Sequence, residues 1–339
     1  MTQTHFAFFA LVSLLVAAAS SGCGDDEGDS GGSGGDAGSA GSAGEGNSSG
    51  AGKGGGSGAG RGGSSGAGNA SGTGGTGEAG GEGGAPAEDI PITLRFAAKV
   101  GSEAFSCDST YAGLGADDST VHPVDFRFYV HDVRLIDDSG AEVPVALTQD
   151  GLWQHEGVAL LDFEDRSGTC SNGTVQLNDV IVGTVPLGTY GGLAFKLGVP
   201  FELNHTDLAT APSPLNLSSM FWSWNTGRLF LSIMSSVERD DGTPFGTILQ
   251  LGSTGCIGDA ASGGVTSCTK PNRAEYDFPT FRTAQNVVVA DMKELLKNSD
   301  LKTDQCHSMQ EACAPMFEEL GIDWTTGAPS AGQSVFRME

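Results

Sequence analysis

Beyond residue 88 the chain is dominated by an apolar–polar alternation of period two. It is clearest in Phe126-Arg127-Phe128-Tyr129-Val130-His131, resumes after a shift over residues 133–136, and runs more loosely over residues 92–100. Alternation of this kind sends successive side chains to opposite faces of a strand. Further short apolar runs lie at 158–163, 193–197, 229–234, 247–251 and 286–290, separated by clusters of Gly, Pro, Asn and Asp. Many short strands with turn signals between them predict a mainly β fold, an antiparallel β-sandwich or barrel-like domain. Helical spacing is confined to the C-terminal part. One helix is expected over residues 291–297 and another over 311–320, with Gly321 placed to cap its end.

One stretch fits neither period. Residues 198–227 hold Pro200, Pro212 and Pro214, His205, and two of the chain's four tryptophans, Trp222 and Trp224. Turn formers interrupt it every few positions, so a single long element is excluded. Such a proline-stiffened, aromatic-rich segment is expected to fold over a site or close one end of a core.

Composition changes the picture upstream. From Gly24 to Glu88 there is no aromatic residue and no Val, Ile or Leu, only Gly, Ser, Ala and polar residues with the single Pro86. A segment like this cannot bury enough apolar surface to offset its ordering entropy. We read 23–88 as a disordered tether with an r.m.s. span of ~45 Å, leaving 89–339 as the folded domain. Gly62-Gly63-Ser64-Ser65-Gly66 and Gly58-Ala59-Gly60-Arg61-Gly62-Gly63 match catalytic and dinucleotide signatures, but no strand and helix flank them, so both are compositional noise. Residues 1–22 read as a signal peptide of lipoprotein type. The apolar run 6–19 is too short to span a bilayer, and Ser20-Ser21-Gly22 precedes Cys23, the expected lipidation site. The protein is therefore expected to be exported and membrane-anchored, at the outer membrane facing the periplasm or at the cell surface, with a plain secretory signal as the alternative.

The net charge of -25 excludes nucleic acid as a partner, because the phosphate backbone would be repelled. Cations, or a partner with a basic face, are the complement. Besides Cys23 there are six cysteines, Cys107, Cys170, Cys256, Cys268, Cys306 and Cys313. Export favours disulfides over a thiolate metal site, and no C-x-x-C is present. Six cysteines allow fifteen connectivities. Local spacing favours Cys256–Cys268 and Cys306–Cys313, which leaves Cys107 with Cys170.

Trp153-Gln154-His155, just before the strand at 158–163, is the best constellation for chemistry. At spacing i, i+2 in an extended chain, Trp153 and His155 share a face, and His205 could close the site from the covering segment. Two neutral imidazoles suit copper or zinc, and Met220 offers a soft thioether nearby in sequence. The bland alternative is a surface histidine beside a core tryptophan. His131 is expected to face solvent, His122 to sit in a loop before Pro123, and His307 to lie beside Cys306. No Ser-His-Asp arrangement or paired-carboxylate motif stands out, so a hydrolase is not supported.

Several ordered blocks resemble the MbnP-like family. They are Asp125-Phe126-Arg127-Phe128-Tyr129-Val130, Val158-Ala159-Leu160-Leu161-Asp162-Phe163-Glu164, Gly198-Val199-Pro200-Phe201 with Asn204-His205, and Met220-Phe221-Trp222-Ser223-Trp224. Leu251-Gly252-Ser253-Thr254-Gly255-Cys256 and Cys306 with Cys313-Ala314-Pro315 extend the likeness. The resemblance implies an exported copper-binding protein, not an enzyme, paired with a dihaem cytochrome c peroxidase-like partner that oxidises a tryptophan to kynurenine. Carried over by motif, it implies Trp153 as the oxidised residue and His155 and His205 as ligands, with Trp222 and Trp224 as alternative oxidised positions. From another class, the competing reading is a metal-free adhesion or glycan-binding β-sandwich lipoprotein. A zinc enzyme lacks a visible general base.

Overall fold

The computed structural model describes residues 88–259 and 264–339. The signal expected at 1–22, the lipidation site Cys23 and the tether up to residue 87 lie outside these residues.

The alternating segments form strands as expected, in two sheets that share one apolar core. The strand Asp89–Val100 buries Ile92, Leu94, Phe96, Ala98 and Val100, every second residue. It anchors a six-stranded sheet between Val180–Pro186 and Val288–Asp291. The second sheet has ten strands built on one long strand, Ser119–Asp137. Rings from both sheets interdigitate: Phe96 meets Phe128 and Phe195 with centroids 6.3 and 5.6 Å apart, and Phe336 lies 4.5 Å from Tyr276. Each such edge-on or tilted pair adds roughly 0.5–1.5 kcal/mol beyond its buried area.

The long strand has two different partners in succession along one edge. Leu231–Glu238 pairs with its first half, up to Phe128, and Tyr190–Leu197 with its second half, from Val130. Along the opposite edge run Tyr111–Leu114, Val158–Asp162 and Glu142–Pro144. The sheets are mainly antiparallel, as expected, but Val288–Asp291 runs parallel to the first strand and Gln305–Cys306 parallel to Pro244–Leu251.

Several strands escape the hydrophobic pattern, among them Tyr111–Leu114 and Glu275–Phe278. Val180–Pro186 carries Gly183 where an apolar residue would mark the buried face; a Cβ there would come within 2.6 Å of the Ala146 carbonyl oxygen on the neighbouring strand. The hairpin of Thr254–Asp259 and Gly264–Lys270 is mostly small and polar because neither face is deeply covered. The two C-terminal helices fall where expected, and a further short helix, Phe201–Asn204, does not follow from the helical spacing. Asp291 caps Met292–Leu296 through the Lys293 amide, and Ala314–Glu319 ends before Gly321 at φ +71°. Among the described residues the three disulfides are Cys256–Cys268 and Cys306–Cys313, the pairs favoured by local spacing, and Cys107–Cys170, the pair left by elimination.

Candidate functional site

Alternation along the long strand sends Phe126, Phe128 and Val130 into the core between the sheets. Asp125, Arg127, Tyr129 and His131 go to the other face. That face is covered by the excursion that leaves the sheet at Gly198 and rejoins it at Phe230. Both of its ends are held by Tyr129. The Gly198 amide donates to the Tyr129 carbonyl at 2.7 Å, and the Tyr129 amide donates to the Phe230 carbonyl at 2.8 Å. The fully buried Tyr129 hydroxyl donates to the Pro214 carbonyl at 2.7 Å and so ties down the middle of the excursion. Arg228 binds it from within. Its Nε donates to the Leu215 carbonyl at 2.8 Å, and its Nη1 to the carbonyls of Leu203 and Asn204 at 2.6 and 2.8 Å.

Trp153 and His155 reach this covered face because Gln154 points the other way. The buried Gln154 amide donates to the carbonyls of Thr148 and Val182 at 2.7 and 2.8 Å, and accepts from the Val182 amide at 2.8 Å. Upstream, one Asp150 oxygen accepts from the amides of Leu152, Trp153 and Gln154 at 2.8–2.9 Å and sets the chain direction. Across the sheet, His155 pairs with Val158, which pairs with His131. Ser213 of the excursion donates to the Leu152 carbonyl at 2.8 Å, so the cover lies directly against this segment. Replacing Gln154 by Leu leaves the Thr148 carbonyl and the Val182 amide without the partners it supplies, while the Val182 carbonyl keeps the Thr148 amide at 2.9 Å. We expect a loss of about 2–4 kcal/mol, read as a lower urea midpoint with an unchanged m-value.

His131 is on the expected face but is not in solvent, which corrects the sequence reading. It is 7% exposed because the excursion covers it, and its Nδ1 meets the Gly198 carbonyl at 2.8 Å. Burial lowers its pKa to about 4, so it is neutral at physiological pH. His155 is half-buried, with Nε2 3.6 Å from a Glu156 carboxylate oxygen.

His205 follows the short helix Phe201–Asn204. Asn204 donates to its Nε2 at 3.1 Å, and the same nitrogen lies 3.5 Å from Cys268 Sγ. Its Nδ1 is buried near the Trp224 backbone without a hydrogen bond of good geometry. Burial lowers its pKa, with Arg273 and Arg228 adding to the effect and the Trp224 backbone opposing it. The ring lines a cleft of about 740 Å³ together with Phe201, Leu208, Phe221, Trp224 and Val265. Among the described residues, the three metal-capable donors gathered within 4.8 Å of one another are those of His205, Cys256 and Cys268. Nothing in the sequence marked this contact, since it joins positions about 50–60 residues apart.

The two alternative tryptophans separate. Trp222 is half-buried and donates from its indole nitrogen to Gln250 at 3.0 Å, beside His307. Trp224 is 47% exposed at the cleft. Met220 is fully buried in the core. His122 is in contact with Thr110 at 3.1 Å.

Beneath the excursion the motif residues of the two central strands form a buried polar cluster. Arg127 makes a bidentate pair with Asp125, both bonds 2.7 Å, and donates to Ser219 of the excursion at 2.9 Å. Asp162 stands opposite Arg127 in register, and one of its oxygens is buried without a partner. Burial raises the pKa of Asp162 to about 7, and that of Glu164 also rises.

Residues 89–311 match the MbnP family. Among solved structures, MbnP from Methylosinus trichosporium is similar, with 29% identity and a TM-score of 0.66 over 74% of this chain and 98% of that one. Among curated proteins there is no match.

Proposed function

Since the chain belongs to the MbnP family, we propose that it is an exported copper-binding protein whose site is built from Trp153, His155 and His205 and completed by oxidation of Trp153. The observation that carries this reading is the inward turn of Gln154, which leaves Trp153 and His155 on the face that the His205-bearing excursion covers. The donor chemistry fits. His205 is held below its ordinary pKa, so it is a neutral imidazole, and its Nε2, which accepts from Asn204, carries the lone pair available to a metal. Copper there would be a soft cation held by two imidazoles and one further donor.

An intact indole N–H only donates and offers no lone pair. Oxidation changes that. The C2–C3 bond breaks as two oxygen atoms enter from two equivalents of hydrogen peroxide, which are reduced to water. Hydrolysis then releases C2 as formate. The product at position 153 is kynurenine, with an aniline nitrogen and a ketone where the indole stood. A dihaem cytochrome c peroxidase-like protein would catalyse the step, so this chain is the substrate of an enzyme and not a catalyst. Cys23 would hold it to a membrane, with the tether giving reach to the partner.

Protein made without the haem partner should bind Cu(I) weakly, and protein oxidised at Trp153 should bind it roughly tenfold or more tighter, about 1.4 kcal/mol. Competition against a chromophoric Cu(I) chelator measures the difference, and mass spectrometry of the Trp153, Trp222 and Trp224 peptides locates the oxidation. His155→Ala and His205→Ala should each abolish the gain, and Trp153→Phe should keep the fold but lose it. If His205→Ala binds copper as the parent does, His205 is not a ligand. The competing glycan-binding reading has one observation in its favour, the exposed Trp224 ring in the cleft. Copper-independent quenching of Trp224 fluorescence by oligosaccharides would favour it.

A further inference from the structure

We propose that Cys256–Cys268 is a reducible staple over an alternative soft-metal site, in which His205 and the two freed sulfurs are the ligands and which competes with the Trp153 site for His205. The donors are already assembled. His205, Cys256 and Cys268 present atoms within 4.8 Å of one another, and the His205 nitrogen facing Cys268 Sγ at 3.5 Å is the one that accepts from Asn204 and so carries the lone pair. The ring is held in place because Asn204 is itself fully buried and accepts from the Arg228 amide at 2.9 Å. The site has an approach, since His205 and Val265 line the 740 Å³ cleft.

Exposure singles out this pair. Cys107 and Cys170 are 3% and 5% exposed and Cys306 and Cys313 are fully buried, whereas both Cys256 and Cys268 are only partly buried. Thiol–disulfide exchange requires access of the attacking thiolate to a sulfur, so a reductant meets Cys256–Cys268 first. Opening it leaves the core intact, because the hairpin is a separate two-stranded sheet whose ladder also pairs Thr254 with Lys270 and Ile257 with Ser267. In the step, a dithiol reductant is oxidised to its disulfide as the Cys256–Cys268 bond breaks. Two electrons pass to the sulfurs, and each takes one proton. Metal binding then displaces both protons. One imidazole and two thiolates make a three-donor soft site, which suits Cu(I) better than a hard cation. The choice of Cu(I) as probe follows the family reading, whereas the donor set does not depend on it.

The full chain is treated with limiting dithiol and the freed cysteines are mapped by alkylation. Cu(I) uptake is then compared before and after by chelator competition under anaerobic conditions. The first two thiols to appear should be Cys256 and Cys268. In protein whose Trp153 is intact, so that His205 is not engaged elsewhere, reduction should add one Cu(I) equivalent with thiolate-to-copper charge-transfer absorption. His205→Ala should weaken this increment by roughly a hundredfold or more, since loss of a ligand exceeds the 10–100-fold typical of losing an outer-shell partner. Cys256→Ser/Cys268→Ser, checked for folding by circular dichroism, should lack it. Earlier release of another pair, no extra copper on reduction, or an increment indifferent to His205→Ala overturns the proposal. Copper held by the fully oxidised protein tests the Trp153 site instead, so either site can fail alone.

Discussion

Arg228→Ala is expected to open the excursion and to lower stability by about 3–5 kcal/mol. The guanidinium is fully buried and, among the described residues, no carboxylate pairs with it; its hydrogen bonds run to the backbone carbonyls of Leu203, Asn204 and Leu215. Burial lowers its pKa, with Tyr129 opposing the shift. Removing the side chain takes the donors from the Asn204 and Leu215 carbonyls in a water-poor interior, leaves Leu203 with the Thr206 hydroxyl at 3.0 Å, and adds a cavity. Each orphaned group costs roughly 1–3 kcal/mol. The loss should concentrate locally, because the strands on either side of the excursion keep their ladders on the long strand. Faster proteolysis between residues 205 and 213, together with a lower urea midpoint, is the expected result. It should be accompanied by loss of any copper binding that depends on His205, since Asn204 positions that ring and Arg228 holds Asn204. Unchanged proteolysis would show that the remaining ties, through Tyr129, Arg127 and Ser213, suffice to hold the cover.

The second large effect concerns Asp162. Its folded-state pKa is raised from 3.8 to about 7, chiefly by burial, so the folded protein binds this proton more tightly than the unfolded chain does. A raised carboxyl pKa makes stability fall as pH rises from about 4 to about 7. At about 1.36 kcal/mol per unit, the full window amounts to roughly 4 kcal/mol. Asn mimics the protonated acid, keeping an acceptor for the Glu164 amide, which now lies 3.1 Å from Asp162 Oδ1. Asp162→Asn should therefore be nearly neutral at pH 4 and stabilising by about 2–4 kcal/mol at pH 8. Subtracting the two denaturation series removes the opposing slope of carboxylates with lowered pKa, such as Asp132. A difference that stays flat with pH would mean that Asp162 is ionised throughout. Glu164, whose pKa also rises, should leave a smaller slope of the same sign in the variant.

Much of the fold was legible because a strand's face pattern is a local property. The backbone sends residues i and i+2 to one side whatever lies beyond, so Phe126, Phe128 and Val130 could be assigned to one face and Tyr129 and His131 to the other. The same rule put Trp153 with His155. The rule says nothing about what covers a face. His131 was expected in solvent for that reason, and is buried because residues 199–229 return over it. Val180–Pro186 stayed hidden because close approach of the Ala146 backbone demands Gly183, which reads locally as a break.

Cysteine spacing indicated which pairs form, since short separations favour closure of Cys256–Cys268 and Cys306–Cys313 and leave Cys107 to Cys170. It could not indicate that one pair would lie against a histidine. His205, Cys256 and Cys268 meet only after the excursion, the central sheet and the outer hairpin are all in place. The charged motif residues show the same division. Their blocks pointed to the family, but that Arg127, Asp162 and Glu164 would be among the most deeply buried side chains was decided by tertiary structure. Periodicity, turn chemistry and cysteine count follow from backbone geometry and covalent chemistry within a few residues. Burial, pKa shifts and the grouping of metal donors follow from which surfaces exclude water together, and only the folded chain sets that.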